Sequence, residues 1–408
     1  MEWKEKRLSE LYVSSSGLSK PANQFGFGYP FLSYKDIFNH YYAPDELLTL
    51  VNSSEVERKK CSVKRGDVFL TRTSETTDEL GMSCVALKDY ENATFNGFSK
   101  RLRPITEEIV PEYAAYFFRS SYFRGQCKSL ASLITRASLN DGMISRLKIR
   151  YPQNKSIQEK IGSILLSYDN LIENNNKRIR LLEQMAENLY KEWFVRFRFP
   201  GHEKAEFENG LPKGWIIEKI GNVCETIGGG TPSTEKPEYW DGEIKWVTPT
   251  DVTSKNSLPL LKVEGRITEE GLKKSSAKLL PPYTILMTSR ASIGFFGIAP
   301  FEVCTNQGFI SIIPQRDNLR MYMLYMLKSR KDEITANANG ATFLEISKGR
   351  FRKMKMLLPP DSILESFENK TMKNFNAILK LEKQNDLLSR QRDLLLPRLM
   401  SGKLEVNV

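Results

Sequence analysis

The chain has 408 residues, 40% apolar and 27% charged, with a net charge of +11; it is long enough for two or three domains and carries no apolar run approaching the ~20 residues of a membrane span. Its charged start, MEWKEKRLSE, has no apolar leader core, so a cytoplasmic protein with no membrane partner is expected. The five cysteines are widely spaced beside only two histidines, which argues against zinc and for reduced thiols in a core; the basic excess, spread without a polybasic run, favours an anionic partner, nucleic acid above all.

In chain order, Trp3-Lys4-Glu5-Lys6-Arg7-Leu8 reads as an aromatic anchor with a helix-like start, and the pattern returns at Trp215-Ile216-Ile217-Glu218-Lys219-Ile220. Tyr29–Ile37 is paralleled by Ile244–Val252, with Asp36 falling on Asp251. Gly66–Arg72 matches Pro282–Thr288, each a turn residue before a short strand, and Phe95-Asn96-Gly97-Phe98 matches Asn306-Gln307-Gly308-Phe309. The offsets differ only as loop insertions would change them, so the chain contains an internal duplication. Within each copy, β-branched and aromatic runs (Val68–Leu70, Ile244–Val247, Ile310–Ile313) mix with helical stretches (Glu112–Arg119, Met321–Lys328). That is an α+β pattern; strands and helices do not alternate as a doubly wound sheet requires.

After Tyr151-Pro152, apolar residues recur at Ile157, Ile161, Ile164, Tyr168, Leu171, Ile179, Leu182, Leu189 and Trp193, with Asn175 interrupting. The spacing predicts one long helix that stops near Phe199-Pro200-Gly201. A second begins at Asp361 and carries Phe367, Phe375, Ile378, Leu381, Leu388, Leu395 and Leu399, with Asn385 and Arg392 intruding and Pro397 close to its end. At about 40 residues, each would span roughly 60 Å. A helix with one apolar stripe needs a partner. Because each copy follows an equivalent domain, the two are expected to pair antiparallel, coiled-coil-like, with pseudo-two-fold symmetry; the alternative is that each stripe packs on its own domain. Asn175 and Asn385 either set the register of such a seam or mark a solvated spot. The reading is therefore four segments: 1–152 and 201–360 as duplicated α+β domains, 153–200 and 361–408 as long helices.

Two dissimilar heads held by a stiff spacer suit B-DNA, whose equivalent groove faces recur every ~34 Å, so that each head can read its own short word. The residues also resemble a known family. Gly214-Trp215, Gly228-Gly229-Gly230-Thr231-Pro232-Ser233, Glu238-Tyr239-Trp240 and Ile244–Asp251 look like the opening of a target recognition domain in the specificity subunit of type I restriction-modification systems. Leu181–Ala186 and Arg392–Leu404 resemble the shared helical regions of that family, and the likeness covers essentially the whole chain. In the first domain, Ser14-Ser15-Ser16-Gly17-Leu18-Ser19 stands in place of the glycine-rich motif. The resemblance implies a subunit that does no chemistry. Two modification subunits would bring S-adenosylmethionine, restriction subunits would hydrolyse ATP and cut DNA, and the helix pair would be the docking surface.

Motifs for independent catalysis are incomplete. Leu280-Pro281-Pro282-Tyr283 imitates the Asn/Asp-Pro-Pro-Tyr motif of amino-methyltransferases, but leucine cannot hydrogen-bond a target amine. Phe25-Gly26-Phe27-Gly28 lacks the spacing of a cofactor turn, and no Gly-Lys-Ser/Thr follows Gly228–Thr231. Two histidines without a paired nucleophile do not make a hydrolase. A self-sufficient methyltransferase or endonuclease, and a helical scaffold that binds only protein, are the competing readings. Phosphate contacts call for Lys, Arg and small donors, and base edges for Arg, Lys, Asn and Gln. The candidates are Lys35, Arg72, Thr73, Lys100, Arg101 and Arg136 in the first domain. In the second they are Thr231, Lys245, Thr250, Arg290, Asn306, Gln307 and Lys348, with Arg72 and Arg290 favoured because both follow the matched short strand.

Overall fold

The computed structural model describes residues 2–76, 79–130, 132–133, 137–255, 257–340 and 344–407. The chain forms two compact units: residues 1–172 with 387–408, and residues 173–386. Each contains an α+β domain and part of both long helices.

In the first unit, a four-stranded antiparallel sheet runs in the order Tyr12–Ser16, Ser99–Pro104, Val68–Thr71, Ser83–Val85. Every residue of Val68–Thr71 is buried, as a strand covered on both faces demands, so it reads as a solid apolar run. A second sheet joins Leu50–Val51, Phe25–Leu32 and Thr94–Phe95, with Phe31 and Leu32 running parallel to Thr94 and Phe95. The second unit repeats both sheets. Cys224–Gly228, Phe309–Pro314, Ile285–Thr288 and Phe296–Ile298 form the larger. Arg266–Ile267, Trp240–Val247 and Cys304–Thr305 form the smaller, with its parallel pair at Trp246–Cys304 and Val247–Thr305. The duplication thus extends to strand order, register and the parallel pairing within the smaller sheet. All five cysteines are buried and free.

The anchor regions are a correction. Trp3–Arg7 is a strand, paired antiparallel with Lys148–Pro152 so that Trp3 faces Pro152, and Ile216–Lys219 pairs likewise with Lys355–Leu358. Helix begins only at Leu8 in the first unit. The buried Ile149 and Tyr151 alternate with exposed Lys148 and Arg150, and a partner strand completes that period-two ribbon. Each domain is thereby closed by its own first and last strands.

The long helices are Lys155–Tyr190 and Asp361–Met400. The first ends earlier than the proline signal suggested: a π turn at Lys191–Val195 puts Trp193 and Phe194 into an aromatic cluster with Phe367 and Trp215, and that packing ends the regular helix before Pro200. Both expectations about the stripes hold in part. In the first unit, Ile161 and Leu165 join Leu396, Leu399 and Met400 in the domain's own core. In the second, Ile179 packs with Ile378 and Leu381 in a small helix-to-helix cluster, whereas Tyr190, Trp193 and Phe367 enter the domain core. The pairing is antiparallel within each unit: Asn374 donates to the Leu182 carbonyl and Asn175 to Asn385 in one, and Asp169 pairs with Arg392 in the other. Leu171 lies half-exposed, outside the stripe expected to include it. Among the described residues no helix is long and apolar enough to cross a membrane.

Candidate nucleic-acid interface

One end of the second unit's domain gathers four loops and a helix start. Gly229 lies so close to the strand-end segment that a Cβ on it would stand 2.0 Å from the Asn306 carbonyl oxygen. Asn306 accepts from the Gly308 amide at 2.9 Å, an Asx turn that fixes the loop. The Ser289 amide donates to the Gly308 carbonyl at 2.8 Å, which brings in Arg290. Exposed Arg290 pairs its backbone with Glu345, with 4.0 Å between the side-chain charges. Lys348, exposed at the start of the helix Lys348–Lys353, puts its ammonium over Gly228. The Thr231 hydroxyl donates to Gln307, and both residues are exposed. Pro249 packs on Gly308, so the short helix Pro249–Thr253, capped by Thr248 and Asp251, presents exposed Thr250 at the same end.

Six of the seven candidates in this domain are therefore neighbours or on neighbouring loops. Lys245 is not: half-buried in its strand, it holds its ammonium 3.9 Å from the centre of the Phe301 ring.

The first unit builds the same end. A Cβ on Gly17 would meet the Asn96 carbonyl oxygen at 2.3 Å, Asn96 accepts from the Phe98 amide at 2.7 Å, and the Arg72 amide donates to the Phe98 carbonyl at 3.3 Å. Ser33 and Asp36 cap the helix Tyr34–Asn39 as Thr248 and Asp251 cap its counterpart. Lys35 is exposed on that helix, and Thr73 is half-buried with its carbonyl taking the Tyr34 hydroxyl at 3.2 Å. Arg72 is half-buried, and its Nε is buried with no hydrogen-bond partner. Arg136 lies outside the described residues.

Lys100 and Arg101 are held inside the fold. Lys100 is 6% exposed and bonds to Ser16 at 2.9 Å and Asp141 at 2.8 Å; this hydrogen bond holds the Asp141 carboxyl below its ordinary range. Arg101, 7% exposed, donates to the Ser62 carbonyl at 2.7 Å, and burial lowers its pKa.

Two matches read from sequence slip by one residue. The hydrogen bonds place Ser289, not Thr288, opposite Arg72, and Asn306, not Gln307, opposite Asn96. Thr73 is thus the counterpart of Arg290, and Phe98 that of Gly308. Phe98, 58% exposed, is an aromatic that the sequence reading passed over at this end. The glycine-rich motif corresponds to a segment starting at Ser16, since Leu18 and Gly230 donate to the Phe95 and Thr305 carbonyls in the same way.

The methyltransferase-like motif Leu280–Tyr283 is packed at both ends. Leu280 is buried and donates to the Val303 carbonyl at 2.8 Å, and Tyr283 sits against Phe375 of the long helix. Among the described residues no group of three or more His, Cys, Asp or Glu could hold a metal ion.

A family model for the type I restriction modification DNA specificity domain matches residues 1–184 and 212–388. The type I restriction enzyme MjaIX specificity subunit of Methanocaldococcus jannaschii is 32% identical over 200 residues, which span 48% of this chain and 46% of that protein, less than half the relative's length. The type I restriction enzyme HindI specificity subunit of Haemophilus influenzae is 23% identical over 474 aligned positions, 99% of this chain and 100% of that protein. Among solved structures, the type I restriction-modification S subunit from M. genitalium has a similar fold, with a TM-score of 0.59 at 12% identity over 100% of this chain and 97% of that one.

Proposed function

The chain belongs to the type I restriction-modification DNA specificity family, and from that premise we propose that each of its two units reads one short word of duplex DNA through the major groove. The chain is a sequence-specificity subunit and does no catalysis itself. The observation that carries the finer reading is the repeated loop end, where a frame of strands and Asx turns carries exposed Arg290, Gln307 and Lys348 in the second unit and exposed Lys35 with half-buried Arg72 in the first. Sites built on such a frame present donors in fixed directions, which base-edge reading requires.

In the second unit Arg290, Asn306 and Gln307 are the base-edge readers, and Thr231, Thr250 and Lys348 hold phosphates. In the first unit Arg72 and Thr73 read and Lys35 holds phosphate. Lys100 and Arg101 support the loops from inside. Lys245 stands apart from this contact set.

The same proposal makes the long helices the spacer between the words and the seat of two modification subunits. Those bring S-adenosylmethionine, and restriction subunits bring ATP hydrolysis and cleavage, in a cytoplasmic complex.

The test is Arg290→Ala in a complex with the modification partner, followed by methylome sequencing. Discrimination within the second word should fall by about 1–3 kcal/mol per lost base contact while assembly and the first word persist. Equal loss over all sequences, or unfolding, overturns the assignment. The competing reading, a self-sufficient methyltransferase or endonuclease, requires methyl transfer or cleavage by the isolated chain.

A further inference from the structure

Beside the loop end of the second unit lies a cavity of about 290 Å³. Its walls come from the segment after the helix Pro249–Thr253, from the hairpin that carries Arg290 on to Gly294 and Phe295, and from Lys328 and Lys331, with Glu183 of the long helix contributing. Three lysines, Lys255, Lys328 and Lys331, line it against the single carboxylate of Glu183.

The charges do not cancel. Lys328 is bonded to Glu187 at 2.6 Å. Glu183 accepts from the Leu258 amide at 2.9 Å, and burial raises its pKa, which favours the neutral acid. Lys255 and Lys331 have no carboxylate within 4.0 Å among the described residues; Lys331 leans on the Phe295 ring, 4.0 Å from its centre. An aromatic face holds a cation in place without neutralising it.

The first unit fills the corresponding place. Ser120 and Ser329 each donate to the carbonyl three residues back, which makes Arg119 the counterpart of Lys328. The Arg119 guanidinium donates to the carbonyls of Ser83, Ile37, Phe38 and His40, tying the hairpin to the short helix. In the second unit the lysine turns to Glu187 instead, and the space stays open.

We propose that this cavity is a phosphoryl-binding site whose counter-charges are Lys255 and Lys331, and that it holds a backbone phosphate flanking the word read by the second unit. The choice of DNA as the source rests on the proposed function, because the same hairpin carries Arg290. A free phosphate or polyphosphate would present the same chemistry.

The experiment uses the full chain with its modification partner and measures DNA affinity against salt for wild type, for Lys255→Gln/Lys331→Gln and for Lys255→Arg/Lys331→Arg. Each phosphate contact contributes about 0.9 to the slope of log affinity on log salt. The glutamine variant should flatten the slope by about 1–2, weaken specific and unrelated DNA alike, and leave the thermal midpoint unchanged, whereas the arginine variant keeps the wild-type slope.

A second arm titrates tripolyphosphate against the full chain. Lysine-dependent binding of tripolyphosphate with an unaltered DNA slope overturns the DNA source and keeps the phosphoryl site. No lysine dependence in either arm overturns the site. Failure of the specificity reading itself shows separately, as wild-type complex with no preference among DNA sequences.

Discussion

Gln158 on one long helix and Glu368 on the other each take a backbone amide of the domain they pack on: Gln158 Oε1 accepts the Val110 amide at 2.9 Å, and Glu368 Oε2 accepts the Met321 amide at 2.8 Å. The amide completes its bonding by donating to the carbonyls of Glu108 and Pro152. The acid leaves Oε1 buried without a hydrogen bond, with Arg320 at 3.5 Å. Burial pushes the Glu368 carboxyl up to about 7. Between the unfolded carboxyl pKa, near 4.5, and that value, the folded chain holds a proton that the unfolded chain has released. The stability linked to this proton is full below the lower value and lost as pH rises through about 7. Glu368→Gln should therefore remove a decline in thermal midpoint between pH 5 and 8, and at pH 8 stabilise the second unit by on the order of 1–3 kcal/mol. Unchanged pH dependence of melting would sink this account.

Asp169 and Arg392 join the long helices inside the first unit, with side chains 11% and 13% exposed. Tyr116 donates to the second Asp169 oxygen at 2.5 Å, and Arg392 lies 4.7 Å from the centre of the Tyr41 ring. Removing one member of such a pair strands a buried charge, at a cost of about 3–5 kcal/mol. Asp393, 2.9 Å from Arg392, softens the loss, so Asp169→Asn is expected near 3 kcal/mol in urea unfolding. The double variant Asp169→Leu/Arg392→Met should be less damaging than the single one, and a double variant that proved worse would show packing, not charge, to be the issue.

The periodic and repetitive features were legible in the sequence: two long helices, a duplicated α+β plan, and Asp36 falling on Asp251. Residue-level equivalence was not. Anchors matched by residue type slip by one, because backbone hydrogen bonds define the register and leave no mark in composition; hence Arg72 was set against Thr288 when Ser289 is its counterpart, and Arg290 answers to Thr73. Lys100 and Arg101 read as free cations because Ser-Lys-Arg-Leu carries no apolar signature. Yet its strand has neighbours on both sides, and oxygens of Ser16, Asp141 and Ser62 take up the charge. The anchor strands were misread because a lone amphipathic hexapeptide fits either period, and its partner lies at the far end of the domain sequence.

The seam of the second unit contains an amide cluster. Asn175 donates to Asn385 at 2.9 Å and to Gln384 at 3.2 Å, and Asn385 donates to Asn176 at 2.9 Å. Ile179, Ile378 and Leu381 pack nearby in the same unit. Apolar residues at these positions would bury more area, whereas amides tolerate only a register that lets them meet. Asn175→Leu/Asn385→Leu is expected to raise the melting midpoint while admitting slipped pairings, seen as more than one product when engineered cysteines across the seam are oxidised. A single cross-linked product would assign the register to the flanking apolar contacts instead.

Gly229 provides the sharpest separation of recognition from folding. A Cβ there would lie 2.0 Å from the Asn306 carbonyl oxygen and 2.3 Å from that of Thr305; both are backbone atoms with no rotamer to swing aside. Gly229→Ala must therefore push the segment 228–233 off residues 305–307, displacing Thr231 and Gln307, which bond across that contact. The buried strands behind it keep their own hydrogen bonds, so the cost in stability should stay at about 1–3 kcal/mol. Methylome sequencing should show the second word degraded and the first intact, with the salt dependence of affinity for unrelated DNA nearly unchanged, since the displaced phosphate contact, Thr231, carries no charge. Gly17→Ala, whose Cβ would meet the Asn96 carbonyl at 2.3 Å, should do the reverse. Gly125→Ala is the control: nothing lies within 4 Å of its Cβ position, and alanine there favours the helix Ser121–Leu130. If Gly125→Ala blurred the second word as much as Gly229→Ala, the loop contact would have no special part in reading DNA.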